Sequence, residues 1–229
     1  MTPRPGAATS PQAGRILPAD RATKQDAVEA LRRADPVMRR LIDSLAPLDA
    51  EARRRGRPAD AYGALVRSIV GQQLSTKAAR SIYERLIAIF GGRTPTPTEL
   101  LAADPETIRA AGLSRSKVAY LRDLAAHVED GELELDRLAE LDDEDVAAQL
   151  TAVKGLGQWT ADMFLIFHLG RPDVLAVGDL GVRRAVERAY RLEQLPPAGE
   201  LTQIAEPWRP HRSLACLYLW RSLDNEPGS

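Results

Sequence analysis

Beyond about residue 22, apolar side chains recur every three or four positions almost to the end of the chain, the period of helices with one buried face. The stretch PVMRRLIDSL opens with Asp35 as an N-cap and Pro36 at the first helical position, where a missing N–H costs nothing. Two longer helices are predicted over AYGALVRSIVGQQ and STKAARSIYERLIAIFGG, the second capped by Ser75 and ended by Gly91-Gly92. TPTEL and ADPETIRAA read as short capped helices or turns. SRSKVAYLRDLAAHVEDG places Val118, Leu121, Leu124, Ala125 and Val128 on one face. LDDEDVAAQLTAV is followed by a break at KGLG and then by a long apolar helix in QWTADMFLIFHLG. A loop through Arg171-Pro172 leads to LGVRRAVERAYRL, and RSLACLYLWRSL closes the pattern. DVLAV is too brief for a convincing strand, so an all-α fold is expected. Residues 1–22, rich in Pro, Ala, Gly and Thr without periodicity, are expected to be a disordered lead-in to a folded region over 23–229.

Composition narrows the class. A hydrophobic share of 44% and a charged share of 28% in 229 residues are ordinary for a soluble globular protein. No apolar run suggests a membrane span, and the basic N-terminus has no apolar segment behind it to make a secretory signal. A single cysteine, Cys216, excludes an internal disulfide and any all-cysteine iron–sulfur or zinc site, and a reducing cytoplasm is the expected location. His127, His168 and His211 are too dispersed to suggest a metal enzyme and read as surface or core residues. The net charge of −1 does not favour a nucleic-acid partner, but it is unevenly spread. Residues 129–145 hold ten acids against Arg137 alone, a charge of −9, which leaves +8 on the rest of the chain. A basic footprint can therefore coexist with an acidic face turned away from DNA, and scattered solvated charges explain the numbers equally well.

The most informative stretch is LTAVKGLGQWTA, from Leu150 to Ala161. A helix ends near Val153, a Gly-x-Gly turn follows, and a second helix starts at Gln158. Such a turn exposes backbone N–H groups beside a positive helix N-terminus, so it can hold a phosphate without side-chain charge. On its own the motif is weak, because any helix–helix connection can contain it. Asp179 stands in the turn Val177-Gly178-Asp179-Leu180 ahead of a basic helix. A carboxylate there can stabilise an oxocarbenium-like sugar and orient a water, and it can equally be a plain N-cap.

Taken together, LxxVKGLGQWTADxF followed by VGDLGVRRA resembles the signature of the helix-hairpin-helix superfamily of DNA glycosylases. The resemblance runs from about Asp35 to Trp220 and includes LVRSIVGQQLSTKAARSIYERL and LSRSKVAYLRDLA, similar to the family's opening helix pair and its minor hairpin element. The tryptophan after the hairpin points to the 3-methyladenine DNA glycosylase II branch. The resemblance implies two helical subdomains with a cleft between them, the N- and C-terminal parts packing together around 65–175. It also implies a monomer that binds double-stranded DNA with damaged bases, needs no cofactor and excises alkylated bases. The chain is expected to lack the N-terminal β-rich domain of some relatives.

Residue by residue, the resemblance makes Asp179 catalytic and gives DNA contact to Lys154, Gly155, Leu156 and Gly157. It puts a monovalent cation, Na+ or K+, on the backbone carbonyls of Thr151, Val153 and Leu156. Trp159 and Met163, four apart on one helix face, would line the base pocket, with Trp220 across the cleft and Leu180 beside the aspartate. An electron-rich indole suits the positive charge of an alkylated purine. Met163 and Leu180 stand where aromatic residues are common in the family, which makes the pocket more aliphatic and leaves etheno adducts and N-methylated pyrimidines open as substrates. Lyase members carry a lysine directly after Gly-x-Gly-x; Trp159 holds that position here, so hydrolysis without strand cleavage is expected. Gln73 is the expected wedge that fills the vacated stack, with Gln72 supporting its loop, though both amides could simply cap helices. Arg183 and Arg184 are candidate phosphate contacts or solvated helix charges. The alternatives are a glycosylase for uracil or a mismatched base, for which no cluster of polar readers is visible in the sequence, and a non-catalytic helix-hairpin-helix DNA-binding protein.

Overall fold

A computed structural model describes residues 18–48 and 58–224, and no strand occurs among them. The chain opens with α1 (Pro18–Ala34) and α2 (Pro36–Ser44). The expected lead-in over 1–22 is thus too long: α1 already begins at Pro18, where proline at the start of an Ala-, Arg- and Lys-rich run favours a helix. Residues 1–17 lie outside the described residues. Asp35 caps α2 through Val37 N (2.7 Å) and Met38 N (3.2 Å), and its second oxygen accepts from the Tyr190 hydroxyl and from Trp208 Nε1 at 2.9 Å. One buried carboxylate therefore ties the N-terminal helix pair to the C-terminal part of the chain, with its lone pairs satisfied as burial requires.

The middle of the chain packs as α3 (Ala61–Gly71), α4 (Thr76–Ile89), α5 (Pro97–Ala102), α6 (Pro105–Ala110) and α7 (Arg115–Glu129). α8 (Asp143–Ala152) and α9 (Gln158–Phe164) follow, the latter widening into a π-helical turn over Leu165–Leu169. α10 (Leu180–Tyr190), α11 (Ala198–Ala205) and α12 (Arg212–Asp224) complete the fold. α5 and α6 lie on α7, α3 touches α4, α7 and α9, and α8 packs on α9. α10 and α12 pack on each other and on α2. All share one continuous apolar core. Short 3-10 turns at Leu135–Glu140 and Glu206–Trp208, and α11 itself, carry no strong period in the sequence. No helix among the described residues is long and apolar enough to cross a membrane.

Two local features position the site. α3 stops at Gly71, two residues short of the predicted end, and Gln73 takes a left-handed backbone with φ 57°. The Lys117 ammonium on α7 accounts for this stop, since it caps the carbonyls of Val70 (2.8 Å) and Gln72 (2.7 Å). The π-helical turn, a device that often accompanies functional sites, brings Phe167 and His168 into a cavity wall.

Candidate active site

The hairpin between α8 and α9 is held from below by α7. Gly155 has φ +85°, and a Cβ built there would lie 2.3 Å from the Tyr120 ring, so both conformation and space demand glycine. Asp123, one turn further along α7, accepts the Lys154 backbone N–H at 2.7 Å. Gln72 Nε2 donates to the Gly155 carbonyl at 2.8 Å, which fastens the loop after α3 to the hairpin. Gly157 is different: its backbone is ordinary (φ −105°), and a Cβ there would meet nothing within 4 Å. The fold does not require glycine at that point, but close approach of a ligand to the main chain would. The N–H groups of Gly155, Gly157 and Gln158 have no hydrogen-bond partner among the described residues, and they point this turn toward an anion. Lys154 is exposed, while the Leu156 side chain is buried in the core, so any contact from Leu156 is a main-chain one.

Asp179 is the N-cap of α10, and its carboxylate is the meeting point of three donors. Oδ1 accepts from Val182 N at 2.8 Å and from Trp220 Nε1 at 2.8 Å, and Oδ2 accepts from Trp159 Nε1 at 2.7 Å. The cap and the constellation are one arrangement: the helix start fixes the carboxylate, and two indoles from different helices fix its rotation. Gly181 makes room for this, since a Cβ there would fall 3.0 Å from Asp179 Oδ1 and 3.1 Å from Trp220 Cδ1. A carboxylate offers about four lone-pair directions. Oδ2 therefore keeps one open for a water or a developing positive charge.

Trp159 also forms part of the wall of a cavity of about 730 Å3 between α3, α4 and α9, ample for a flipped base. Trp159 and Met163 line it, together with Phe164 and Phe167 from the same helical run. His168 stacks on Phe164 with ring centroids 4.7 Å apart, and burial holds its imidazole below the ordinary value, so it is neutral at pH 7. Two expected pocket residues are elsewhere. Trp220 does not line the cavity; it stacks on Phe167 at 5.6 Å and spends its N–H on Asp179. Leu180, the first residue of α10, is 47% exposed outside the cavity, because the cap turns its side chain outward. No cluster of polar readers is visible in the sequence, but Arg67, Ser68, Thr76 and His168 all reach the wall. They come from separate segments, so no local pattern could have grouped them.

The loop after α3 leaves Gln73 exposed and Gln72 half-buried, with Gln72 in the bond to the hairpin. Arg183 is half-buried and donates its Nε to the Pro196 carbonyl at 3.0 Å, so part of its guanidinium is structural; Arg184 is exposed. Asp162 is a further residue that sequence reasoning passed over. It is only 4% exposed, accepts from Gln158 Nε2 at 2.8 Å, and its carboxyl is pushed up by burial and by the nearby Asp179 charge. Lys117, Tyr120 and Asp123 were missed as well. Their spacing of three along α7 was the available signal, since it places one polar and aromatic stripe beside the apolar face.

Comparison with known proteins gives a consistent picture. Residues 66–210 match the model of the HhH-GPD superfamily of base excision DNA repair proteins. A Schizosaccharomyces pombe DNA-3-methyladenine glycosylase is 36% identical over 163 residues, 70% of this chain and 72% of its own length. A Bacillus subtilis protein named for the same activity is 31% identical over 169 residues, and the chain spans 59% of its length. Among solved structures, a Schizosaccharomyces pombe 3-methyladenine DNA glycosylase in complex with abasic DNA superposes with a TM-score of 0.76 at 32% identity, covering 86% of this chain and 95% of that one.

Proposed function

The chain belongs to the HhH-GPD superfamily of base excision DNA repair proteins, and from that premise we propose that it is a monofunctional DNA glycosylase that flips alkylated bases out of duplex DNA and hydrolyses their glycosidic bond. The observation that carries this reading is the Asp179 carboxylate, fixed by Trp159, Trp220 and Val182 and joined through Trp159 to an aromatic cavity. The related glycosylases named above act on 3-methyladenine, which supports alkylated bases as the substrate class.

The chemistry follows from these groups. As the C1′–N bond breaks, its electron pair leaves with the base and positive charge grows on the sugar. Asp179 stabilises that charge, and its open Oδ2 position orients a water whose oxygen bonds to C1′ while its proton passes to the Asp179 carboxylate and on to solvent. An alkylated purine already carries positive charge and departs without a dedicated acid. No lysine among the described residues lines the cavity, and Trp159, at the position where lyase members carry their lysine, donates to Asp179 instead, which supports water over an amine as the attacking group. The product is an abasic site in an intact strand.

DNA is held by the hairpin's free N–H groups, with Lys154 and Arg184 adding surface charge and Gln73 filling the gap left by the flipped base. The carbonyls of Thr151 and Leu156 accept no hydrogen bond among the described residues, while that of Val153 accepts one from Leu156 N at 3.1 Å. This open oxygen set fits a Na+ or K+ ion, which would supply positive charge toward a DNA phosphate. The test is free-base release from duplexes carrying single lesions. Release of 3-methyladenine with normal pairs untouched is the expected result. Tight DNA binding with no base released from any alkylated duplex would leave a non-catalytic binding protein in its place.

A further inference from the structure

Three side chains spaced three apart on α7 reach both the loop after α3 and the hairpin between α8 and α9. Lys117 donates its ammonium to the carbonyl of Val70 (2.8 Å), in the last turn of α3, and to that of Gln72 (2.7 Å), just beyond it. The Tyr120 ring lies so close under Gly155 that no Cβ fits there, and Asp123 accepts the Lys154 backbone N–H at 2.7 Å. Gln72 closes the ring, since its Nε2 donates to the Gly155 carbonyl at 2.8 Å. From Lys117 to Asp123 the helix rises about 9 Å. One short, rigid rod therefore carries the loop that presents Gln73 and the hairpin that offers its N–H groups to phosphate.

The first of these mountings is held against resistance. Gln73 keeps φ at 57°, a left-handed backbone that glycine adopts freely and glutamine does not. Lys117 is half-buried, and burial pushes its ammonium below the ordinary lysine value. A glycine would end α3 without either burden. Gln73 is exposed, so its strained backbone adds nothing to the core, and strain of that kind points to function. Building on the glycosylase reading and on Gln73 as the residue that fills the vacated stack, we infer that Lys117 is a positioning residue for base flipping: it fixes the height of Gln73 above the phosphate-holding hairpin. The side chain then enters the duplex while the backbone beside it is gripped. Pushing between stacked bases needs a mount that does not yield, and a loop held only by its own chain would swing away. Lys117 does not line the cavity, and its hydrogen bonds go to main-chain carbonyls, so it acts through the loop.

The experiment compares single-turnover release of 3-methyladenine from two duplexes of one sequence. In one the lesion faces thymine; in the other it faces a mismatched cytosine, where weaker pairing makes flipping easier. The proteins are the wild type, Gln73→Ala, Lys117→Met, Lys117→Gln and the double variant Gln73→Ala/Lys117→Met. All are assayed below their melting ranges, with affinity for undamaged duplex measured alongside. Lys117→Met is expected to slow release opposite thymine roughly 10- to 100-fold, and opposite cytosine by less than about threefold. Affinity for undamaged duplex should stay at the wild-type level, because Tyr120 and Asp123 still seat the hairpin. The double variant should be no slower than the slower single one, since both changes remove the same wedge. Lys117→Gln, one atom shorter, should show the same pattern more weakly, and it carries the comparison if Lys117→Met does not fold. Losses that multiply in the double variant would overturn the inference, because Lys117 would then act independently of Gln73. So would an equal loss on both duplexes with weaker binding to undamaged DNA, which marks a general support of the fold. A Lys117→Met or a Gln73→Ala that matches the wild type on both duplexes overturns it as well. A wild type that releases no base from either duplex fails the glycosylase reading itself, and the two failures are thereby told apart.

Discussion

On the proposed function the hairpin at residues 151–161 and the cavity between α3 and α9 meet the same DNA, but they are made of different material. The hairpin works through main-chain groups, so its specification is local: two glycines, a helix end and a helix start within eleven residues. The cavity works through side chains from α3, α4, α9 and the π-helical turn, which meet only when the chain is folded. A main-chain device reads phosphate and is blind to sequence, whereas a side-chain cavity can discriminate among bases. Asp179 sits where the two join, because Trp159 belongs to the second helix of the hairpin and also to the cavity wall.

The sharpest way to separate the regions is to disable the chemistry and leave the hairpin alone. Asp179→Asn keeps the cap shape but removes the charge, and single-turnover base release should fall about 1,000-fold or more with DNA affinity unchanged. The converse substitution is Gly155→Ala, which forces a Cβ against Tyr120 and strains a left-handed backbone. It should cost about 3 kcal/mol and lower the melting temperature by roughly 6–12 °C. DNA binding should weaken at least about tenfold, while base release at saturating DNA, measured below the melting range, stays close to wild type.

A smaller effect tests the segment that carries Asp179 to α12. Asp173 accepts from Arg212 Nε at 2.8 Å and from Arg209 at 2.8 Å. Burial alone would push its carboxyl up, but the two guanidinium groups hold it below the ordinary carboxylate range. Its stabilising contribution is therefore present above the unfolded-chain value and disappears as pH falls through the folded one. Asp173→Asn should cost about 1–2 kcal/mol at pH 7 in denaturant titrations, and the difference should begin to shrink only as pH falls below about 4, the two proteins converging at still lower pH. The smallest change is Trp220→Phe, which removes one of the carboxylate's three donors and keeps the stack on Phe167. About a tenfold loss in the rate of base release is expected, with little change in the KM for DNA.

How much of this was legible in the sequence follows the same division. The Asp35, Ser75 and Asp179 caps, the glycine turn and the helical period are short-range patterns, and the structure carries them at those positions. The supports of the hairpin were not legible. Lys117 meets Val70 and Gln72, and Asp123 meets Lys154, across separations of 47, 45 and 31 residues. Such pairs leave no mark on a period of 3.6. Trp220 is expected in the pocket from the family resemblance alone, and the structure turns its N–H onto Asp179. Leu180 follows a cap, and the geometry of a helix start, not its apolar character, sets its direction outward.

The central claim is that Asp179 acts with water alone. It is tested most directly by reacting the protein with a 3-methyladenine duplex in two portions, one with borohydride to resolve protein adducts and one without it to resolve strands. The account predicts released base, a full-length strand that breaks only on later treatment with alkali, and no protein–DNA adduct. A trapped covalent adduct, or a strand nicked before alkali, would contradict it, because only an amine of the protein bonded to C1′ gives a reducible imine.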